Sequence, residues 1–227
     1  MKRGLLLLAV PIALVALALA CGGDDEESVA TTPALNTNAA TNNCPAPSGD
    51  APAPSMKTYA AAPDASTIDP SKTYIATVNT VRGEFKIKLR PDLAPKHVAS
   101  FVFLANEHFF DGVTFHRVLP GFVAQTGDPT GTGSGGPGYT IPAEFQTQVK
   151  FTRGIVGMAR ATDPNSAGSQ WFVMYGTATS LDGQYTVFGE VLDDGMSVVD
   201  CITPRDPGKN PNAPPGDKII SVTVEEQ

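Results

Sequence analysis

The stretch that decides the reading is Phe115-His116-Arg117-Val118-Leu119-Pro120-Gly121-Phe122-Val123-Ala124-Gln125-Thr126-Gly127-Asp128-Pro129. Two short apolar runs lie here, Thr114–Val118, which starts one residue before the stretch, and Phe122–Gln125, broken by Pro120-Gly121 and closed by Gly127-Asp128-Pro129. Runs of this length between Gly and Pro turns read as short strands. The same pattern continues outward. Upstream, Glu84-Phe85-Lys86-Ile87-Lys88-Leu89 alternates polar and apolar as a half-buried strand does, and it pairs with Tyr74–Thr80 across Val81-Arg82-Gly83. Arg90-Pro91-Asp92 breaks that strand. Pro95 then suits a first helical turn, with Val98, Phe101, Val102 and Ala105 at helical spacing. Downstream come Gly154–Ala159, Gln170–Met174 and Tyr185–Phe188, a short helix around Met196–Ile202, and a terminal strand marked by Ile220, Val222 and Val224. No internal repeat is visible. Many short strands with two helices predict a mainly β fold, a barrel with helical lids.

Charge excludes one class of partner. The formal net charge is −7, and Lys2-Arg3 is the most basic run in the chain. Phosphate backbones need clustered Lys and Arg, so nucleic acid is not an expected partner. Gly (22) and Pro (20) are both high, which requires long loops or an unstructured segment. Residues 21–72, rich in Ala, Pro, Thr, Asn and Ser, lack hydrophobic periodicity. They read as a flexible linker, disordered at least to 43, because so little apolar surface cannot offset ordering entropy. The part from Cys44 onward is the part that can dock on a domain spanning 73–227.

The first twenty residues read as a signal segment, with Lys2-Arg3 followed by apolar Leu5 to Ala20. Cys21 comes next, then Gly22-Gly23 and four acids. This resembles a bacterial lipoprotein signal, in which such a cysteine is lipidated. The place three before it is Ala18 rather than the usual leucine, and an uncleaved anchor or ordinary secretion is the alternative. Every one of these readings places the body outside the cytoplasm; the lipoprotein reading anchors it to a bacterial membrane by its N-terminal lipid. Two further cysteines remain, Cys44 and Cys201. In a disulfide-permissive compartment they are either bridged or free thiols, and sequence leaves both open.

Phe115 to Pro129 closely resembles the signature of the cyclophilins. Gly131 to Gly138 resembles that family's Gly-rich loop, and Gly154 to Arg160 the strand lining its substrate groove. Asn165 to Phe172 and Leu181 to Gly189 resemble two further signatures. The resemblance covers about 73–224. It implies a closed eight-stranded antiparallel β-barrel capped by two helices, and peptidyl-prolyl cis/trans isomerase activity on proline-containing polypeptides, without a cofactor and as a monomer. A non-catalytic proline-peptide module on the same fold is the alternative.

The chemistry fits these residues. Rotation about a peptide bond is resisted by roughly 18–20 kcal/mol through lone-pair delocalisation. Speeding it at X-Pro breaks no bond; the twisted state, with its localised nitrogen lone pair, must be favoured. A guanidinium is always charged and offers fixed donors, so Arg117 is the catalytic candidate. The resemblance assigns Gln125 to the substrate backbone, and Phe122, Val123, Phe172 and Leu181 to an apolar socket for the proline ring. It assigns main-chain contacts to Ala159 and Arg160. Tyr185 stands where many eukaryotic members have histidine. Outside the resemblance, the apolar four read as ordinary core and Arg117 as a surface salt-bridge partner. His116 titrates near neutrality, but isomerisation transfers no proton. His97, His108 and His116 lack metal-ligand spacing. Ser180 replaces a tryptophan that contacts cyclosporin in the family, which implies weak drug binding.

Overall fold

The computed structural model describes residues 44–227. The expected signal segment 1–20, Cys21 as a lipidation site, and linker residues up to 43 lie outside the described residues. Among the described residues no helix is long and apolar enough to cross a membrane.

Eight antiparallel strands form one curled sheet: β1 (Tyr74–Thr80), β2 (Gly83–Leu89), β3 (Arg117–Leu119), β4 (Val123–Thr126), β5 (Ile155–Met158), β6 (Trp171–Met174), β7 (Val187–Val191) and β8 (Ile219–Glu226). Their order is β3-β4-β6-β5-β7-β2-β1-β8. The β1–β2 hairpin turns where the sequence indicates, with Thr80 opposite Gly83. Gly83 has φ 126°, a backbone region side chains disfavour, so glycine is needed there. The sheet curls round the core as a half-barrel. Its edges β3 and β8 share no ladder; instead isolated bridges tie Thr114 to Lys218 and Val118 to Arg205. β3 is three residues long and Arg205 takes its outer edge, which leaves no room for a continuous closing ladder.

Helix α1 (Pro95–Asn106) lies in the bowl of the sheet and buries Val98, Phe101, Leu104 and Ala105. Its N-cap residue, Ala94, offers no capping side chain. The orphan N–H groups of Lys96 and His97 donate instead to the Glu144 carboxylate at 3.2 and 3.1 Å, and His97 Nδ1 lies 2.6 Å from the same group. The core centres on Trp171, which meets Phe101, Phe110 and Phe115 edge-on with ring centroids 5.8–6.4 Å apart. Helix α2 (Gly195–Val199) is shorter than the sequence indicates and lies over the β1–β2 turn, with Val198 facing Gly83.

Residues 44–72, read as linker from composition, lie on the domain. Cys44 and Cys201 are joined as a disulfide with Cα atoms 5.2 Å apart. Ser48 N–H donates to the Val81 carbonyl at 2.8 Å. The chain then passes so close over Gly112 that a Cβ there would meet the Pro52 carbonyl oxygen at 2.2 Å. Tyr59 packs edge-on against Phe103, with centroids 4.9 Å apart, and its N–H donates to the Pro137 carbonyl at 2.8 Å. The part from Cys44 onward, which the sequence allowed to dock, does so through main-chain bonds, the disulfide, Tyr59 and the buried Ile68 rather than through a periodic apolar face.

Candidate active site

Strand register builds the site. Arg117 on β3 is opposite Gln125 on β4, and Gln125 is opposite Phe172 on β6. Phe172 is opposite Gly157 on β5, which is opposite Val187 on β7. Side chains alternate faces along a strand, so these five residues form one row on the sheet's outer face. The adjacent row, Val118, Ala124, Val173 and Val156, points inward to the main core. Val123, Phe172, Met174, Val187 and Phe151 form a second apolar cluster on the outer face. β6 is therefore buried on both faces, which explains its unbroken apolar run.

The second cluster is a socket. Phe172 stacks on Phe151 at 5.8 Å and meets Tyr185 edge-on at 5.9 Å. Phe122, Ala159, Leu181 and Tyr185 pack around it, each only partly buried. Gly157 makes room for the ring: a Cβ there would lie 2.5 Å from Phe172 Cζ. Leu181 is held at the rim by a 3-10 turn, Thr179–Leu181, and by Asp182, whose carboxylate accepts the Phe151 N–H at 2.9 Å.

Arg117 stands at the socket's edge with its guanidinium carbon 5.5 Å from the Phe122 ring centre. Its Nη1 donates to Gln125 Oε1 at 3.4 Å. Among the described residues no carboxylate pairs with it. The surface ion pair considered from sequence is thus not made, and the charge is held by an amide and an aromatic face. Gln125 Nε2 in turn donates to Gln170 Oε1 at 3.0 Å, and Gln170 Nε2 donates to the Gly133 and Gly135 carbonyls, each at 3.0 Å. A continuous amide relay therefore runs from Arg117 to the Gly-rich loop.

That loop is organised by buried Asp128, which accepts from Thr130 N–H at 2.7 Å and Gly133 N–H at 2.6 Å. Burial pushes the Asp128 carboxyl up, but the bonds from Thr130, Gly135 and Gly133 together outweigh it and hold the pKa below the usual carboxylate range. His116 lies behind Arg117 with both ring nitrogens unpartnered. Burial first, then the Arg205 and Arg117 charges, lower its pKa against the opposing pull of Asp128.

The structure brings Arg117, Gln125, Phe122, Val123, Phe172, Leu181, Ala159 and Tyr185 to one face. Two residues differ in detail from the sequence reading. The Ala159 N–H is bound to the Gln170 carbonyl at 2.8 Å, which leaves its carbonyl for a ligand. The Arg160 side chain folds back over Tyr185, 4.7 Å from the ring centre, and donates to the Gln184 carbonyl at 2.9 Å. Phe151, Met174, Gly157 and Gln170 were missed as site residues. Strand alternation through Phe172 could have flagged Met174; nothing local marks Phe151, which arrives from a loop. Among the described residues no cluster of three metal-ligating side chains is found.

The outer face of this curled antiparallel sheet thus sets one guanidinium beside an aromatic-lined hollow. The chain belongs to the cyclophilin-type peptidyl-prolyl cis-trans isomerases, whose family model matches residues 74–224. It is 45% identical over 173 residues to a relative in Brucella suis that carries a peptidyl-prolyl cis-trans isomerase name, covering 71% of this chain and 86% of that one. It is 41% identical over 180 residues to peptidyl-prolyl cis-trans isomerase A of Mycobacterium tuberculosis, covering 71% and 97%. Among solved structures, a Cryptosporidium parvum cyclophilin-type isomerase superposes with TM-score 0.61 at 29% identity, covering 68% of this chain and 99% of that one. The same protein in the presence of the dipeptide Ala-Pro gives TM-score 0.58 at 30% identity, covering 67% and 99%. The activity is peptidyl-prolyl cis/trans isomerisation.

Proposed function

We propose that this isomerase works outside the cytoplasm, as a monomer on a lipid tether at Cys21, and turns X-Pro bonds in exported proteins. Arg117 carries the reading: a guanidinium with no carboxylate partner among the described residues, beside an apolar socket. A proline ring enters between Phe122, Val123, Phe172 and Leu181. Gln125 and the Ala159 carbonyl hold the flanking backbone. As the preceding carbonyl turns, the prolyl nitrogen loses conjugation and becomes an acceptor for the Arg117 N–H. A charge-assisted bond of this kind contributes about 1.5–3 kcal/mol, selectively in the twisted state. Holding the ring while the carbonyl rotates supplies the rest. No proton moves, so a neutral His116 is no obstacle. The relative crystallised with Ala-Pro supports a proline-peptide ligand for this groove.

Location rests on the Lys2-Arg3 start, the apolar stretch to Ala20, and Cys21. The Cys44–Cys201 disulfide agrees with an oxidising compartment. Detergent partitioning of the full chain tests the tether. Wild type should enter the detergent phase and Cys21→Ser the aqueous phase; equal partitioning of the two would rule lipidation out.

A further inference from the structure

Beside the proline socket the groove opens into a cleft of about 880 Å³, lined by Gln125, Gln170, Ala159, Ala161 and the Gly-rich loop 133–138. One wall comes from elsewhere. Thr58, in the docked N-terminal strap, lines the same cleft. It lies outside residues 74–224, the part shared with the family. We propose that this strap is a specificity element, with Thr58 setting the size of the substrate side chain admitted beside the proline.

The strap is fixed well enough to act as a wall. Its path is pinned at one end by the Cys44–Cys201 bridge. At the cleft, Tyr59 is clamped on helix α1 by the Phe103 ring and by a 3.5 Å hydrogen bond from its hydroxyl to Glu107. Tyr59 N–H holds the Pro137 carbonyl, and a Cβ on Gly138 would meet Thr58 Cβ at 3.0 Å. The Gly-rich loop is therefore held from both sides, by the strap outside and by Gln170 inside. A peptide whose proline occupies the socket, and whose backbone meets Gln125 and Ala159, must pass this cleft with a neighbouring residue. The lining is mainly main chain and small polar groups; Arg160 also lines it, but its guanidinium is turned back onto the Gln184, Ala161 and Thr162 carbonyls, so size is the property the Thr58 wall reads. The effect belongs to the substrate's flanking residue, not to the rotating bond.

The inference rests on the groove assignment, and the test separates the two. Wild type, Thr58→Ser and Thr58→Trp are assayed on peptides with Gly or Phe at each of the positions flanking the X-Pro pair. Thr58 is exposed, so both variants should fold with unchanged thermal midpoints. Thr58→Trp is expected to lower the Phe-to-Gly ratio of kcat/KM about tenfold at one flanking position only. Thr58→Ser should keep the wild-type ratio. Ratios unmoved at every position, or an equal loss on Gly and Phe peptides, would overturn the strap's role. Wild type inactive on the Gly peptide would overturn the groove assignment instead.

Discussion

Phe172 separates a core residue from a socket residue, since both readings bury it. It is 5% exposed, stacked on Phe151 and edge-on to Tyr185. Phe→Ala substitutions in full cores cost about 3–5 kcal/mol. One side of this ring faces the groove, so Phe172→Ala should lose about 3 kcal/mol. For a domain of this size each kcal/mol moves the thermal midpoint about 2–4 °C, giving a fall of about 6–12 °C. The same truncation removes the floor on which the proline ring is desolvated, worth about 2 kcal/mol, or about 30-fold in kcat/KM. Phe172→Leu keeps most of the volume, so its stability loss should stay under about 1.5 kcal/mol. It lacks the flat face, and kcat/KM should remain about tenfold low. Calorimetry with a protease-coupled prolyl peptide assay measures both quantities. If both variants lose thermal stability yet keep kcat/KM within about twofold of wild type, a change worth only about 0.4 kcal/mol, Phe172 is core alone and the socket lies elsewhere.

Four further outcomes follow from the same contacts. The Cys44–Cys201 bridge spans a sequence separation of 157; replacing both by serine should lower the thermal midpoint by about 10 °C from loop-closure entropy, and a shift under about 2 °C would contradict that account. Buried His116 titrates below its usual 6.5, so below pH 6.5 the unfolded state binds more protons and stability falls as pH falls; His116→Gln should flatten the fall of the midpoint just below pH 6.5, and an unchanged slope would count against it. Glu144 and Asp128 titrate below the usual carboxylate values, so a further loss common to both proteins should appear below about pH 4.5 as these groups protonate. Gln170→Ala should lower kcat/KM about tenfold with little change in midpoint, because it cuts the amide relay between Gln125 and the Gly-rich loop.

Much of the groove was legible because its residues are close in sequence to motif turns. Arg117, Phe122, Val123 and Gln125 share one hairpin, and strand alternation alone puts Arg117, Gln125 and Phe172 in line once register is known. Register itself was not readable, since β3 to β6 are three or four residues long. Phe151 enters from a loop with no periodicity. The strap was legible only as a segment able to dock from Cys44 onward; its path was not, because Pro- and Ala-rich chain carries no periodicity and partners distant in sequence, Val81, Pro137 and Cys201, order it. Glu144 likewise caps α1 from 47 residues away, beyond any local capping pattern.

The central claim is that one guanidinium favours the twisted peptide bond. Arg117→Ala, assayed on an X-Pro peptide beside wild type, tests it most directly. Loss of a charge-assisted bond worth about 1.5–3 kcal/mol should lower kcat about 10- to 150-fold, with the thermal midpoint and the affinity for proline peptide nearly unchanged. A kcat within about twofold of wild type would contradict the account.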